Sequence, residues 1–342
     1  MDYKLLKKLM DIHAVSGSEE KIRAFIKKEI RPYVNSVKID RAGNLIAHQK
    51  GPKPTVMFAS HMDEIGLMVK SIDTNGRIHF EKIGGIDNVT LIGQRVLIET
   101  KIKSVNGVIT TKLLSEGDDI EELPKDKNLI IDTGLSKKEL KKKGVRIGSF
   151  ISLIQETQKL GDKKIICGKA VDDRIGCYML IQLAKLCHKV KKNEVYFVFT
   201  VQEEMGLYGA KTSAYHVNPD WAIAIDVTDA TDTDSENATQ ILGKGPTITA
   251  KDSDMIGNKC INGWLEAISK KNKIPIQWDV SDKGTTDAIS IYFSRGGVPA
   301  TVVGVPVRNM HSTIGIAHAD DVDNAIKLLG LLLKKPPKTC II

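Results

Sequence analysis

The 342-residue sequence has no uninterrupted apolar run approaching the roughly 18 residues that a membrane-spanning helix requires. Aromatic residues make up only 5% of it, which leaves few flat platforms for stacking sugars or bases. The five cysteines (Cys167, Cys177, Cys187, Cys260 and Cys340) include no C-x-x-C pair, and their number is odd. That argues against a disulfide framework or a cysteine-based zinc knuckle and favours a reducing compartment. Charges interrupt the N-terminal apolar residues Leu5, Leu6, Leu9 and Met10, so a secretory signal is not expected. Cys340 stands third from the end, outside a prenylation box. A cytoplasmic protein is expected.

Fifty Lys and Arg against 42 Asp and Glu leave a formal net charge of +8. The densest basic run, Lys137 to Arg146, has no interleaved aromatics and belongs to no nucleic-acid module, so it reads as a solvated helix face. Neither a nucleic acid nor a membrane is expected as a partner. What the chain does hold is 42% hydrophobic and 27% charged residues, the balance of a globular protein with a core. Its length fits two domains, or one domain carrying a large insertion.

Residues 1–34 read as helix with a break at Gly17 and a capping-box spacing from Ser16 to Glu19. Thr55 to Ser60 is a continuous apolar run of the buried parallel-strand kind. Short alternating stretches then follow (66–72, 77–82, 95–100, 107–112), separated by turn signals such as Asn75-Gly76 and Asn106-Gly107, and read as a small antiparallel β unit. From about residue 165, helices and apolar strands alternate: helix at 172–187, strands at 194–201 and 221–226, helix at 257–271, strands at 274–280 and 300–305, and a closing helix at 321–334. The expected fold is α/β, a mixed and mainly parallel sheet covered by helices, formed by residues 1–64 and 164–342 and interrupted by a barrel-like β domain at 65–163.

Groups that can do chemistry gather where strands end. His61-Met62-Asp63 follows the strand at 55–60, Glu203-Glu204 follows the strand at 194–202, Asp226 ends a strand, and His311 comes shortly after another. Asp172-Asp173 precedes a helix. Singly, each has an ordinary explanation: a hydrogen-bonded histidine, an acidic turn, a helix N-cap. Together they fall at the carboxyl edge of an open α/β sheet, where sites form. Two imidazoles and several carboxylates suit Zn²⁺, Co²⁺ or Mn²⁺. Five ligands, one of them bridging, suffice for two ions that polarise a carbonyl and generate hydroxide from a bridging water. One carboxylate must stay unligated to move the proton, and the Glu203-Glu204 doublet offers one side chain for each task. Asp63 is placed to orient the His61 imidazole.

Ser60 to Gly66 (SHMDEIG), Ala170 to Gly176 (AVDDRIG), Gln202 to Ala210 (QEEMGLYGA), Ala224 to Val227 (AIDV) and Met310 to Ser312 (MHS) together resemble the M42 family of dinuclear metallo-aminopeptidases, some of whose members are labelled endoglucanase. Gly93 to Val96, Ile131 to Gly134 and Gly243 to Pro246 add weaker echoes. The resemblance runs nearly the whole length. It implies that His61, Asp172 and Asp226 hold one metal and that Asp172, Glu204 and His311 hold the other. It further implies that Glu203 is the general base, that a metal-bridging hydroxide attacks the peptide, and that the substrates are peptides with a free N-terminus. The inserted β domain would serve oligomerisation and substrate access, in a tetrahedral dodecamer whose sites face an internal cavity.

The chain departs from the family pattern at two places. Lys283 to Ala288 (KGTTDA) resembles the family's Gly-Gly-Thr-Asp-Ala loop near the substrate, with Thr285 for the second glycine, which makes Gly284, Thr286 and Asp287 candidate substrate residues. After His311, Ser312 to Gly315 replaces the commoner Ser-Pro-hydrophobic-Glu. The acidic stretch from Asp226 to Glu236, with Asp229, Asp232 and Asp234, lies next to the site and reads as a solvated loop, with preference for basic substrates as the alternative. Two other functions compete. A carboxylate glycoside hydrolase needs no metal and leaves His61 and His311 without a task. A non-catalytic peptide-binding scaffold would have lost a ligand, and none is missing.

Overall fold

A computed structural model describes residues 1–117, 122–161, 164–190, 193–233, 238–337 and 340. Its centre is four parallel strands, in the spatial order β12 (Glu194–Thr200), β3 (Thr55–His61), β13 (Trp221–Asp229) and β16 (Ala300–Arg308). Every residue of β3 is buried, as its unbroken apolar run requires of a strand covered on both faces. Antiparallel strands extend both sides. β1 (Ser36–Ile39) and β2 (Leu45–Gln49) add to β12, while β17 (Gly315–His318), β11 (Ile165–Gly168) and β10 (Gln158–Leu160) continue from β16. β14 (Thr247–Lys251) also pairs antiparallel with β16, and β15 (Gln277–Val280) pairs parallel with β14.

Strand alternation divides the core in two. Val56, Phe58, Phe197, Phe199, Ile223 and Val303 face α1 (Tyr3–Asp11), α2 (Glu20–Ile30), α5 (Val171–Val190), α7 (Lys259–Asn272) and α9 (Ala319–Leu332). Met57, Ala59, Val198, Ala222, Ala224 and Val302 face α6 (Tyr208–Val217) and α8 (Asp287–Tyr292). The second face is lined by alanines, so its two helices sit close to the strands.

Between β3 and β10 the chain closes a separate antiparallel barrel, in the order β4 (Gly66–Ile72), β5 (Ile78–Ile83), β8 (Leu129–Asp132), β7 (Val105–Thr111), β6 (Arg95–Ile98) and β9 (Phe150–Leu153). In β7, Val105, Gly107, Ile109 and Thr111 are buried while Asn106 and Val108 are exposed, the period-two pattern that a strand with one wet face needs. The barrel has its own core, including Leu67, Val69, Ile78, Val96, Ile109 and Ile151. Helix α3 (Lys112–Glu116) follows β7 directly. The basic run forms α4 (Lys137–Lys142), opened by a capping box of Ser136 and Glu139, with Leu140 buried and Lys141 and Lys142 in solvent.

Three sequence expectations are corrected. The break expected at Gly17 is wider than one residue, α1 ending at Asp11 and α2 beginning at Glu20, and the Ser16–Glu19 box does not form. Glu19 Oε1 instead accepts the N–H groups of Gly17 (2.7 Å) and of Gln202 (3.2 Å), because the turn after β12 competes for it. Asp226 does not end its strand, since pairing with β16 carries β13 on to Asp229. Finally, Cys260 and Cys340 form a disulfide across 80 residues, leaving Cys167, Cys177 and Cys187 as free buried thiols. Trp264 Nε1 donates to Lys335 O (2.8 Å) and Trp221 Nε1 to Pro337 O (3.1 Å), which holds the chain just before Cys340 beside α7 and the start of β13. Nothing in the cysteine spacing announced that. Among the described residues, no helix is long and apolar enough to cross a membrane.

Candidate metal centre

The parallel strands deliver their side chains to one edge. His61 is the last residue of β3 and is buried. Asp172 and Asp173 open α5 in non-helical conformations (ψ 112° and 45°), so Asp172 is not a conventional N-cap but reaches over the strand ends. Its two oxygens face different histidines, with Oδ1 2.8 Å from His61 Nε2 and Oδ2 3.4 Å from His311 Nε2. Glu204 Oε2 is 3.6 Å from His311 Nε2, and Asp226 Oδ1 is 3.9 Å from His61 Nε2. His311 lies in the turn after β16 with φ +54°, a left-handed conformation uncommon for a side chain of its size. Asp63 lies 3.5 Å from His61 Nδ1, an ion-pair contact rather than a good hydrogen bond. It has a second task that the sequence did not disclose: its two oxygens accept the backbone N–H groups of Glu203 and Glu204, at 3.2 Å each, and so hold the doublet.

The electrostatics are those of a cation site. Burial, with Asp226, Asp287 and Glu204 adding and His61 only partly offsetting, pushes Glu203 well above the usual carboxylate range. Burial and the neighbouring Asp172 do the same to Asp226, and they carry Glu204 to about 8. Asp172 raises His311 to about 9 against the effect of burial. This many carboxylates share a buried space at high cost unless positive charge joins them. Glu204 Oε1 and His61 Nδ1 are also buried without a hydrogen-bond partner among the described residues. The donor set therefore fits divalent ions: His61, Asp172 and Glu204 offer ligand atoms within 4.8 Å of one another, and so do His61, Asp173 and Asp226. Within the second group we favour Asp172 over Asp173, because Asp173 is already engaged. Its oxygens accept Ser60 Oγ (2.6 Å) and the Gly176 N–H (3.0 Å), and a Cβ at residue 176 would come within 2.3 Å of it.

Two further residues went unnoticed in the sequence. Gly84 and Gly85, at the end of β5, bring the barrel against the centre. A Cβ on Gly84 would lie 3.0 Å from Glu204 Oε2, and one on Gly85 3.1 Å from His311 Nδ1. The only available signal was a Gly-Gly pair at a strand end.

The centre opens into a cavity of about 620 Å³ lined by His61, Asp172, Glu203, Glu204, Asp226 and His311, and also by Gly284, Thr285 and Thr286. Asp287 does not line it. It is buried at the start of α8, where it accepts Thr200 Oγ1. In the acidic stretch, Asp229 lines the cavity, whereas Asp232 is held by Arg308 Nε and Nη2 at 2.7 Å each. Asp234 and Glu236 lie outside the described residues. A cavity of about 730 Å³ between α5 and α9 contains none of these groups.

An α/β sheet with imidazoles and buried carboxylates at its strand ends defines a hydrolase with a candidate metal centre. A family model described as M42 glutamyl aminopeptidase matches residues 43–328, and the chain belongs to that family of peptide hydrolases. The lysyl aminopeptidase of Pyrococcus furiosus is 35% identical over 342 residues, covering 98% of this chain and 97% of the relative. Aminopeptidase APDkam598 of Desulfurococcus kamchatkensis superposes with a TM-score of 0.93 at 36% identity, covering 98% and 95% of the two chains. The TET1 peptidase of Pyrococcus horikoshii, described as able to assemble into a tetrahedron or a large octahedral shell, gives 0.88 at 33% identity, covering 97% and 99%. A solved chain from Thermotoga maritima named endoglucanase shares the fold too, with a TM-score of 0.78 at 32% identity and 96% of each chain covered.

Proposed function

We propose that the chain removes N-terminal residues from peptides with two divalent ions, Zn²⁺ or Co²⁺ being favoured and Mn²⁺ a third choice. His61, Asp172 and Asp226 would hold one ion and Asp172, Glu204 and His311 the other. The observation that carries this reading is the placement of Asp172, one oxygen toward each histidine. When bound, such ions polarise the scissile carbonyl and lower the pKa of water at the site. Glu203 accepts a proton from the attacking water and returns it to the leaving amine. Among the described residues it makes no ion-pair contact with His61, His311 or Asp172, so its carboxylate is left unligated for that task. Asp63 orients His61 and fixes Glu203 and Glu204 through their N–H groups. A glycosidase reading gives the two histidines no work, and the site geometry does not favour it.

The peptidase domain of this reading comprises residues 1–64 and 164–342, and the barrel domain, 65–163, controls access to the cavity and joins subunits. The barrel end of β5 comes so near Glu204 and His311 that a Cβ on Gly84 or Gly85 would crowd them, which supports the first role. Exposed apolar side chains on the barrel domain, Val89, Ile102 and Ile147 among them, support the second. We infer a homo-oligomer of the tetrahedral, twelve-subunit kind. Light scattering should then report a native mass near twelve times the 37.6 kDa chain, and a monomer at micromolar concentration would refute the assembly.

The experiment that tests the chemistry is exhaustive chelation followed by reloading. Hydrolysis of aminoacyl amides should vanish on chelation, return with about two equivalents of Zn²⁺ or Co²⁺, and disappear when the amine is acetylated. Full activity in protein shown by elemental analysis to be metal-free would refute the two-ion reading.

A further inference from the structure

The cavity holds a second group of acids that the metal centre does not use. Asp229 ends β13, Asp252 follows β14, and Asp279 lies on β15, and all three line the cavity. Asp252 is only 5% exposed and Asp279 only 7%. Asp252 turns Oδ1 to the backbone N–H groups of Asp254 (2.9 Å) and Met255 (2.7 Å), whereas its Oδ2 is buried with no hydrogen-bond partner among the described residues. Asp279 Oδ2 accepts Thr249 Oγ1 at 3.2 Å, and its Oδ1 lies 3.4 Å from Gln240 Nε2. Both contacts are long, and both partners are neutral.

The nearby cations are committed elsewhere or lie in solvent. Lys251 Nζ donates to the carbonyls of Asp252 (2.8 Å) and Ser281 (3.1 Å). Arg308 is bound to Asp232. Lys283 lies on the cavity lining but is exposed. Burial raises the Asp279 carboxyl, and Asp252 and Asp229 raise it further. A buried carboxylate with an idle oxygen is costly by itself and becomes favourable when a charged donor enters. In a cavity that already admits a peptide N-terminus, that donor is a side chain of the substrate.

We propose that Asp252 and Asp279, with Asp229 at the rim, form the subsite for the substrate's N-terminal side chain and select a cationic one, lysine or arginine. The assignment rests on the aminopeptidase reading above. A site built to pair with a charged group discriminates against an uncharged isostere, because that isostere leaves the buried carboxylate unmatched.

The test compares kcat/KM for the chromogenic amides of lysine, arginine, norleucine and glutamate on the metal-loaded protein. Lysine and arginine should exceed norleucine, which matches lysine in length and lacks its charge, by about tenfold or more. In D252N, which keeps an oxygen for the Asp254 and Met255 N–H groups, and separately in D279N, the lysine-to-norleucine ratio should fall toward one. A parent ratio near one, or a preference for glutamate, overturns the proposal, as does a lysine preference kept in both variants. Silence toward every amide would instead strike the aminopeptidase reading. Calorimetric binding of L-lysinamide against L-norleucinamide then decides the subsite, equal binding overturning it and preferential lysinamide binding upholding it.

Discussion

At the scale of single residues, Glu203 and Glu204 show how two identical neighbours come to differ. Both are tethered through their N–H groups to Asp63, so the backbone is fixed while the side chains diverge. Glu204 reaches His311, at 3.6 Å. Glu203 has no contact of this kind with a histidine or with Asp172 among the described residues and is free to carry a proton. On the reading proposed above, replacing Glu203 with Gln removes the base and retains the shape. The variant should hold its metal content by elemental analysis and lose about 10² to 10⁴ in kcat, the usual worth of a positioned acid–base group. Turnover at the parental rate would place the base elsewhere. The proposed ligands could be picked out in the sequence because they lie at or near the end of an apolar strand or open a helix, and because their motifs resemble those of the family. Asp252 and Asp279 were not legible, since an acid after a strand is ordinary until its burial and its missing partner are known.

At the scale of elements, a buried ionic knot ties the site to its surroundings. Glu64, on the short link from β3 into the barrel, accepts Lys169 Nζ on both oxygens (2.9 and 2.6 Å) and the Ala14 N–H (2.8 Å). Arg174, fully buried on α5, donates to the carbonyls of Leu9, Ile12 and Met62. The N-terminal helix, the entry to the barrel and the start of α5 thus converge within reach of His61 and Asp172. Substituting Glu64 with Gln leaves Lys169 buried without its counter-charge and should cost about 3–5 kcal/mol in denaturant unfolding. Burial pushes the Glu64 carboxyl up, but Lys169 and Arg174 outweigh it and hold it below the ordinary value. A carboxyl lowered by folding contributes stability that is complete above its unfolded pKa, near ~4.3. That contribution disappears as the pH falls through the lowered folded value, so the gap between parent and variant should be full at neutral pH and narrow in acid. A constant gap would show that charge is not what Glu64 supplies. None of this knot was legible from the sequence, where Glu64 and Arg174 sit within the motifs and Lys169 beside one with nothing to show that they meet.

At the scale of the whole molecule, the C-terminal tail is fastened to α7 by the Cys260–Cys340 disulfide, with Trp221 and Trp264 bonded to tail carbonyls. Closing a loop of this length restricts the unfolded chain, typically by about 2–4 kcal/mol. Reductant should therefore lower the Tm of the parent and leave that of C260S/C340S unchanged, and equal Tm values with and without reductant would show that the bond contributes nothing. The sequence by itself determined the apolar strands, the alternation of helix and strand after residue 165, the break into a β unit and the gathering of acids and histidines near strand ends. These depend on local hydrophobic periodicity and on position relative to a strand end, and both can be read along the chain. Only the tertiary structure decided the antiparallel flanks, the disulfide, the approach of Gly84 and Gly85 to the centre, and the burial of Asp252 and Asp279. Short or polar strands such as β1 and β10 take their pairing from neighbours. A charge buried between distant segments has no local pattern, because its meaning lies in what the fold brings beside it or leaves away from it.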